Sequence, residues 1–276
     1  MAAREESWVL YTTYIVLIVA STVILFPVIW VTYTAFKPQE DILRNVFSLP
    51  KSFYAENFQK VWTKNAFGIY FLNSTVVTVI SVIGLMILIS GMAYAFAFFD
   101  FKWKKPLFFY AILGQMIPAN IIMVANFKIM AVLHLIDTRY ALILTYMSWI
   151  PFGVFFLRAF FLGIPKEFRE VARVDGASEL TIFTRIMLPL AKPGLLVVAM
   201  FYFVWIWNDF LWPLVYISSV SKYTLTIGLM NFSGKYTSLW GQQAAAICSV
   251  FWGPVVFYLI FHKQFIKGVI EGGLKG

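Results

Sequence analysis

The residues whose types and spacing could do chemistry fall mostly in one short run, Glu170–Pro189, which reads EVARVDGASELTIFTRIMLP. Glu170, Asp175 and Glu179 alternate there with Arg173 and Arg185. Carboxylates and guanidinium groups at that density suit docking against a partner, where charge-assisted hydrogen bonds are strong. Elsewhere the ingredients of catalysis are scattered. His134 and His262 lie far apart and Cys248 is the lone cysteine, so they offer no metal-ligand set and no internal disulfide. The nearest approach to a phosphate-binding loop, GLMNFSGKYT from Gly228, has the wrong spacing. It also puts Tyr236 where a serine or threonine must bind magnesium. The chain is therefore expected to be no enzyme, to hold no metal or cofactor of its own, and to bind no nucleic acid.

A second group of polar residues sits inside or beside apolar runs: Asn73, Gln115, Asn120, Asn208 and Asp209. Polar groups at membrane depth are costly and point to a transport pathway. Trp205 and Trp207 precede Asn208 and Asp209. Aromatic rings beside amides suit a sugar, because rings cover C–H faces while amides bond hydroxyls. These seven residues are the candidate pathway set.

The elements that must position both groups follow from hydropathy. Hydrophobic residues make up 61% of the 276 and charged residues 13%, about half the charge expected of a soluble domain. Mean hydropathy is +0.79. Charge-free runs extend over Val9–Phe36, Asn65–Phe99, Pro106–Phe127, Tyr140–Leu157, Pro193–Asn208 and Tyr236–Phe261. A helix needs about 20 apolar residues to cross a bilayer, and backbone groups facing lipid must be paired within the helix. The expected fold is thus an all-α polytopic membrane protein, one transmembrane domain over 1–276. Its six helices are placed at 9–31, 70–96, 106–127, 140–161, 194–216 and 241–262. The first run is too long for a signal h-region, and MAAREESW is not a basic leader, so it is expected to be retained.

Six crossings divide the loops into two sets. Thirteen of the 22 Lys and Arg residues fall with the two ends of the chain, 100–105 and 158–192. Nine fall in 32–69, 128–139 and 217–240. FKWKKP and HKQFIK lie right at helix ends, where positive charge weighs most on orientation, so the first set and both termini are placed in the cytoplasm. The net charge of +9 then concerns topology. The loop 32–69 is expected to hold short helices with turns at Pro38 and Pro50.

The polar run now has a place, on the cytoplasmic side between the fourth and fifth helices. Pro165 suits a first turn, and Glu167 and Glu170 suit a helix N-terminus. Gly176 suits a sharp change of direction and Ser178 can cap a second short helix. Leu180, Ile182, Phe183, Ile186 and Met187 would face the bundle, leaving a charged side outward, and Pro189 and Pro193 end the segment.

The spacing of this run resembles a known motif. Glu170-Val171-Ala172, three residues, Gly176, nine residues and Ile186-Met187-Leu188-Pro189 is similar to the EAA loop of ABC importer permeases, with Val171 standing where alanine is usual. RVDGAS at Arg173–Ser178 resembles the carbohydrate importers of maltose-permease type. So do LNST at Leu72–Thr75, AYAFAFFDFKWKK at Ala93–Lys105, FVWIWNDFLWPL at Phe203–Leu214 and the tail KQFIKGVIEGGLKG. The chain is identified on these grounds with the smaller of the two permease subunits in that family.

The resemblance implies an ATP-driven importer in the bacterial plasma membrane, with this chain forming half of the path for a sugar or oligosaccharide. It implies a second homologous permease subunit, two cytoplasmic ATPase subunits that bind the ATP, and an external solute-binding protein. Loop 162–193 becomes a coupling loop. Glu170 would pair with a basic residue in the ATPase groove, Asp175 and Gly176 would set the turn, and Ala172 and Ala177 would allow close approach. Ile186, Leu188 and Pro189 complete the motif. The segment Tyr216–Gln243 resembles the loop that probes the binding protein, with Asn231, Ser233, Lys235, Tyr236 and Trp240 as contacts. The glycines of the tail Gly268–Gly276 suit an extended insertion at the ATPase. An alternative substrate is glycerol-phosphate or a polyol. A stand-alone secondary transporter would need buried ionisable relays, for which Asp209 alone is available.

Overall fold

The computed structural model describes the backbone over residues 2–64, 66–232 and 239–273, and side chains over 10–64, 66–118, 120–230, 232 and 239–263. Every regular element among the described residues is helical. In chain order they are α1 Ala2–Thr34, α2 Gln39–Arg44, α3 Glu56–Gln59, α4 Phe67–Phe98, α5 Lys104–Leu113, α6 Ala119–Val132, α7 Arg139–Met147 and α8 Ile150–Leu162. There follow α9 Glu167–Val174, α10 Glu179–Ile182, α11 Leu188–Leu190, α12 Lys192–Asn208, α13 Leu211–Tyr216, α14 Leu225–Gly228 and α15 Trp240–Gly273. Leu10–Thr34, Phe67–Phe98 and Trp240–Lys263 are each long and apolar enough to cross a bilayer unbroken, and three bent helix pairs bring the total to six.

Not every span is one continuous helix, and the breaks have local causes. The run 106–127 is two helices, Lys104–Met116 and Asn120–Val132, meeting at 104°. Pro118 forces Ile117 out of the helical region, to φ −92° and ψ 117°. The run 140–161 bends by 40° between α7 and α8, where Pro151 occupies the first turn of α8. The third bent pair is Glu179–Leu190 with Lys192–Asn208, at 76°, and the run 194–216 is itself divided into α12 and α13 where Asp209 turns extended at ψ 134°. The tail expected as an extended insertion is helical as far as Gly273, and 274–276 lie outside the described residues.

The chain forms two compact units. The first is Met1–Gly68 with Gly228–Trp252. Its short helices α2 and α3 follow α1, and Lys37, between α1 and α2, is fully buried. The Lys37 ammonium donates to the carbonyls of Asn45 (2.9 Å), Val46 (3.3 Å) and Ser48 (2.8 Å) and to the Ser48 hydroxyl (3.0 Å). Asn57 donates to the carbonyls of Ala35 and Lys37, closing the same loop from the other side.

The second unit is Ile69–Ile227 with Gly253–Gly276. Its core gathers Leu85, Ile89, Leu142, Tyr146, Val154, Leu157, Phe161 and Tyr202. Tyr202 mends the α7–α8 break. Its hydroxyl donates to the Trp149 carbonyl at 2.5 Å and accepts the Gly153 N–H at 2.9 Å. Both backbone groups would otherwise be orphans of a helix end.

Candidate functional site

The polar loop is built from short-range rules. Glu167 and Glu170 occupy the first turn of α9, where the helix dipole favours acids. α9 then closes in a Schellman turn: Gly176 N–H bonds the Arg173 carbonyl and Ala177 N–H bonds the Ala172 carbonyl, both at 3.0 Å. Gly176 takes φ +78°, the left-handed conformation that this turn requires. Asp175 is the C-cap, at φ −72° and ψ 4°. Ser178 caps α10, its hydroxyl accepting the Thr181 N–H at 3.3 Å. A π-helical turn over Phe183–Met187 and the short α11 lead into α12.

Among the expected coupling residues, Ala172 is buried, as are Ile182 and Met187. Ala177, Ile186 and Leu188 are half-buried, while Glu170, Asp175, Gly176 and Pro189 are exposed. The outward side is not purely charged, as the residue pattern had suggested. Val174 is 88% exposed, Leu180 71% and Val171 61%. Leu180, expected against the bundle, is exposed, whereas Ile182 and Met187 are buried and Phe183 and Ile186 pack against the core. The loop thus presents an apolar patch edged by Glu170, Asp175 and Arg173.

Glu179 was not among the expected site residues, yet it is the loop's electrostatic centre. Its Oε1 accepts Arg169 Nε at 2.8 Å and the Tyr94 hydroxyl, and its Oε2 accepts Arg173 Nη2 at 3.0 Å. Burial pushes the Glu179 carboxyl up, but the bonds from Arg169, Tyr94 and Arg173 outweigh it and leave the pKa below the usual glutamate value. The Arg169 guanidinium also lies over Phe98 (5.6 Å) and Phe99 (5.2 Å).

The seven pathway candidates each have their own surroundings. Asn73 is buried, and its amide donates to the carbonyls of Ser221 (2.9 Å) and Tyr223 (3.0 Å). Trp205 is partly exposed and sits in a nest of rings with Phe152, Phe201 and Tyr202. Trp207 is buried, stacked on Phe203 and edge-on to Phe71. Asn208 is exposed, with its amide bonded back to the Val204 carbonyl at 2.8 Å. Asp209 accepts the Tyr146 hydroxyl at 2.7 Å and the Leu211 N–H at 3.3 Å, which holds the α12–α13 break. Gln115 and Asn120 are exposed on either side of the Pro118 break.

The segment after α13 is held from several directions. Asp137 accepts the N–H groups of Ser218 (3.0 Å) and Ser219 (2.9 Å), the Ser219 hydroxyl, and the Lys222 ammonium at 3.0 Å. Ser74 accepts the Leu225 N–H at 2.8 Å, and Thr226 donates to the Asp209 carbonyl at 2.7 Å. Of the residues expected to meet a binding protein, Trp240 is exposed at the start of α15. Ser233, Lys235, Tyr236 and the Asn231 side chain lie outside the described residues.

Residues 87–269 match the family of binding-protein-dependent transport system inner membrane components. The chain belongs to this family. The permease is 34% identical over 274 residues to the diacetylchitobiose uptake system permease protein NgcG of Streptomyces coelicolor, covering 98% of this chain and 91% of that one. It is 31% identical to the multiple sugar-binding transport system permease protein MsmG of Streptococcus mutans, covering 99% of both. Among solved structures it superposes with TM-score 0.83 on a bacterial ABC transporter involved in the import of the acidic polysaccharide alginate. That likeness spans 92% of this chain and 95% of the other at 22% identity, and it establishes the fold.

Within the permease, Glu179, Asp137 and Lys37 are the polar residues that sequence reading missed. Glu179 carried one usable signal, the arginines six and ten positions before it. Nothing local marks Asp137, whose partners are 81 to 85 residues away.

Proposed function

We propose that this permease forms half of the translocation path of an ATP-driven sugar or oligosaccharide importer, beside a second homologous permease subunit. Two cytoplasmic ATPase subunits bind the ATP, and an external solute-binding protein delivers the sugar. Both termini and the loop 162–193 face the cytoplasm, in keeping with the surplus of Lys and Arg on that side. The sugar is supported by relatives named for diacetylchitobiose and multiple-sugar uptake. The observation that carries the coupling role is the outward face of the polar loop. Val171, Val174 and Leu180 form an exposed apolar patch, and Glu170 beside them has a carboxylate bonded to none of the described side chains. A short helix held by a Schellman turn and offering that face is a lever on which a moving partner can act. Glu170 then supplies a charge-assisted bond and the apolar residues supply contact area.

The test is reconstitution of the whole transporter in proteoliposomes, with the binding protein and labelled oligosaccharides. Uptake should require ATP. Glu170→Lys and Gly176→Asp should insert in the membrane normally yet lose most sugar-stimulated ATP hydrolysis. Normal transport in both variants would refute the coupling role. Uptake of glycerol phosphate or a polyol, with no oligosaccharide carried, would replace the sugar.

A further inference from the structure

One carboxylate in the loop does more than hold its own turn. Glu179 opens α10, and its oxygens collect Arg169 and Arg173 from α9 and Tyr94 from the closing turns of α4. The Arg169 side chain is only 12% exposed and that of Glu179 29%. Arg169 is wedged over the rings of Phe98 and Phe99 at the end of α4. Tyr94 packs on Phe183, in the π turn after α10, with ring centres 4.9 Å apart. Three pieces of chain, α4, α9 and α10, therefore meet at one anionic centre. α9 and α10 are eight and four residues long, too short to be stiff alone. Charge-assisted bonds to a partly desolvated carboxylate are directional and stronger than neutral ones. They give the loop a defined attachment to a membrane-spanning helix.

We propose that Glu179, with Arg169 and Tyr94, is the positioning linkage that carries movement of the coupling loop into α4. This rests on the coupling role proposed above and adds to it the route by which motion enters the membrane. Docking uses the exposed face with Glu170, whereas transmission uses the inward face with Glu179. The two functions can then be separated by mutation.

Glu179→Gln keeps the side-chain shape but removes the charge that holds two guanidinium groups. Tyr94→Phe removes one donor and keeps the ring. In the reconstituted transporter, both variants should copurify with the ATPase subunits and hydrolyse ATP at the basal rate. Sugar moved per ATP hydrolysed should fall by about tenfold in Glu179→Gln, the size of a typical coupling free energy between sites. Tyr94→Phe should fall less, and the double variant should be no worse than Glu179→Gln alone, because both act through one bonded unit. Glu179→Asp should restore part of the ratio. A purely structural role would lower yield and melting temperature while leaving sugar per ATP unchanged, and that result overturns the proposal. Loss of copurification in Glu179→Gln also overturns it, since Glu179 would then serve docking. Absence of ATP-dependent uptake by the unmutated transporter would instead sink the coupling reading itself.

Discussion

Asp137 sits at φ +60°, a conformation that aspartate tolerates better than most side chains. The Ser219 hydroxyl and then its N–H hold the carboxyl far below the usual aspartate range; burial opposes them, and Lys222 and Ser218 add to the lowering. A carboxylate whose folded pKa is depressed contributes stability above its unfolded pKa, about 3.9, and that contribution is lost as pH falls toward the folded value. Asp137→Asn should therefore lower the melting temperature of the detergent-solubilised protein by a constant amount between about pH 5 and pH 8. The gap should close only below about pH 4, and a gap that varies within the neutral range would contradict the assignment. At Gly176 the constraint is backbone conformation alone, because an added Cβ would meet nothing within 4 Å. Gly176→Ala should cost about 1 kcal/mol, and Gly176→Asn less, since asparagine enters the left-handed region more readily. Equal costs in denaturation experiments would show that the turn is not held at positive φ. Gly176 was legible in the sequence because its demand is local. Asp137 was not, because its value comes from another loop.

At the scale of elements, the membrane helices were foreseeable as apolar runs but their breaks were not. Pro118 and Pro151 were visible, yet proline alone does not say whether a helix bends by 40° or 104°. Neighbours decide that. At the smaller bend, Tyr202 from α12 takes over the hydrogen bonds that the α7–α8 break leaves open. Tyr202 is 1% exposed, so its hydroxyl has no water to replace it. Tyr202→Phe should destabilise the protein by about 2 kcal/mol, the penalty for buried backbone groups left unpaired. Tyr140→Phe, at an exposed ring, should change almost nothing. Similar effects of the two substitutions on thermal unfolding would remove Tyr202 from the break. Asn73, a pathway candidate by type, shows the same dependence on neighbours: its amide bonds the backbone at Ser221 and Tyr223.

For the whole molecule, the proposed side of the membrane for each loop rests on charge and can be measured directly. Val174 and Val220 are both exposed, one in the loop 162–193 and one after α13. In a background where Cys248 is serine, a membrane-impermeant maleimide added to spheroplasts should label Val220→Cys and spare Val174→Cys until the membrane is opened. The reverse pattern would invert the topology. α1 leaves Leu10, Ile15, Ile18 and Ile24 more than half exposed, a surface suited to lipid or to a neighbouring subunit.

The amino-acid sequence by itself determined the class, the apolar runs and the motif Glu170–Pro189. A bilayer demands a minimum apolar length, and a short helix–turn–helix is specified by residues only a few positions apart. Only the tertiary structure decided which carboxylate is engaged and which is exposed. Glu170 stands exposed, while Glu179 is bonded to Tyr94, 85 positions earlier in the chain. A hydrogen bond across that separation exists because the folded chain brings the start of α10 to the last turns of α4, and no spacing along the chain encodes it.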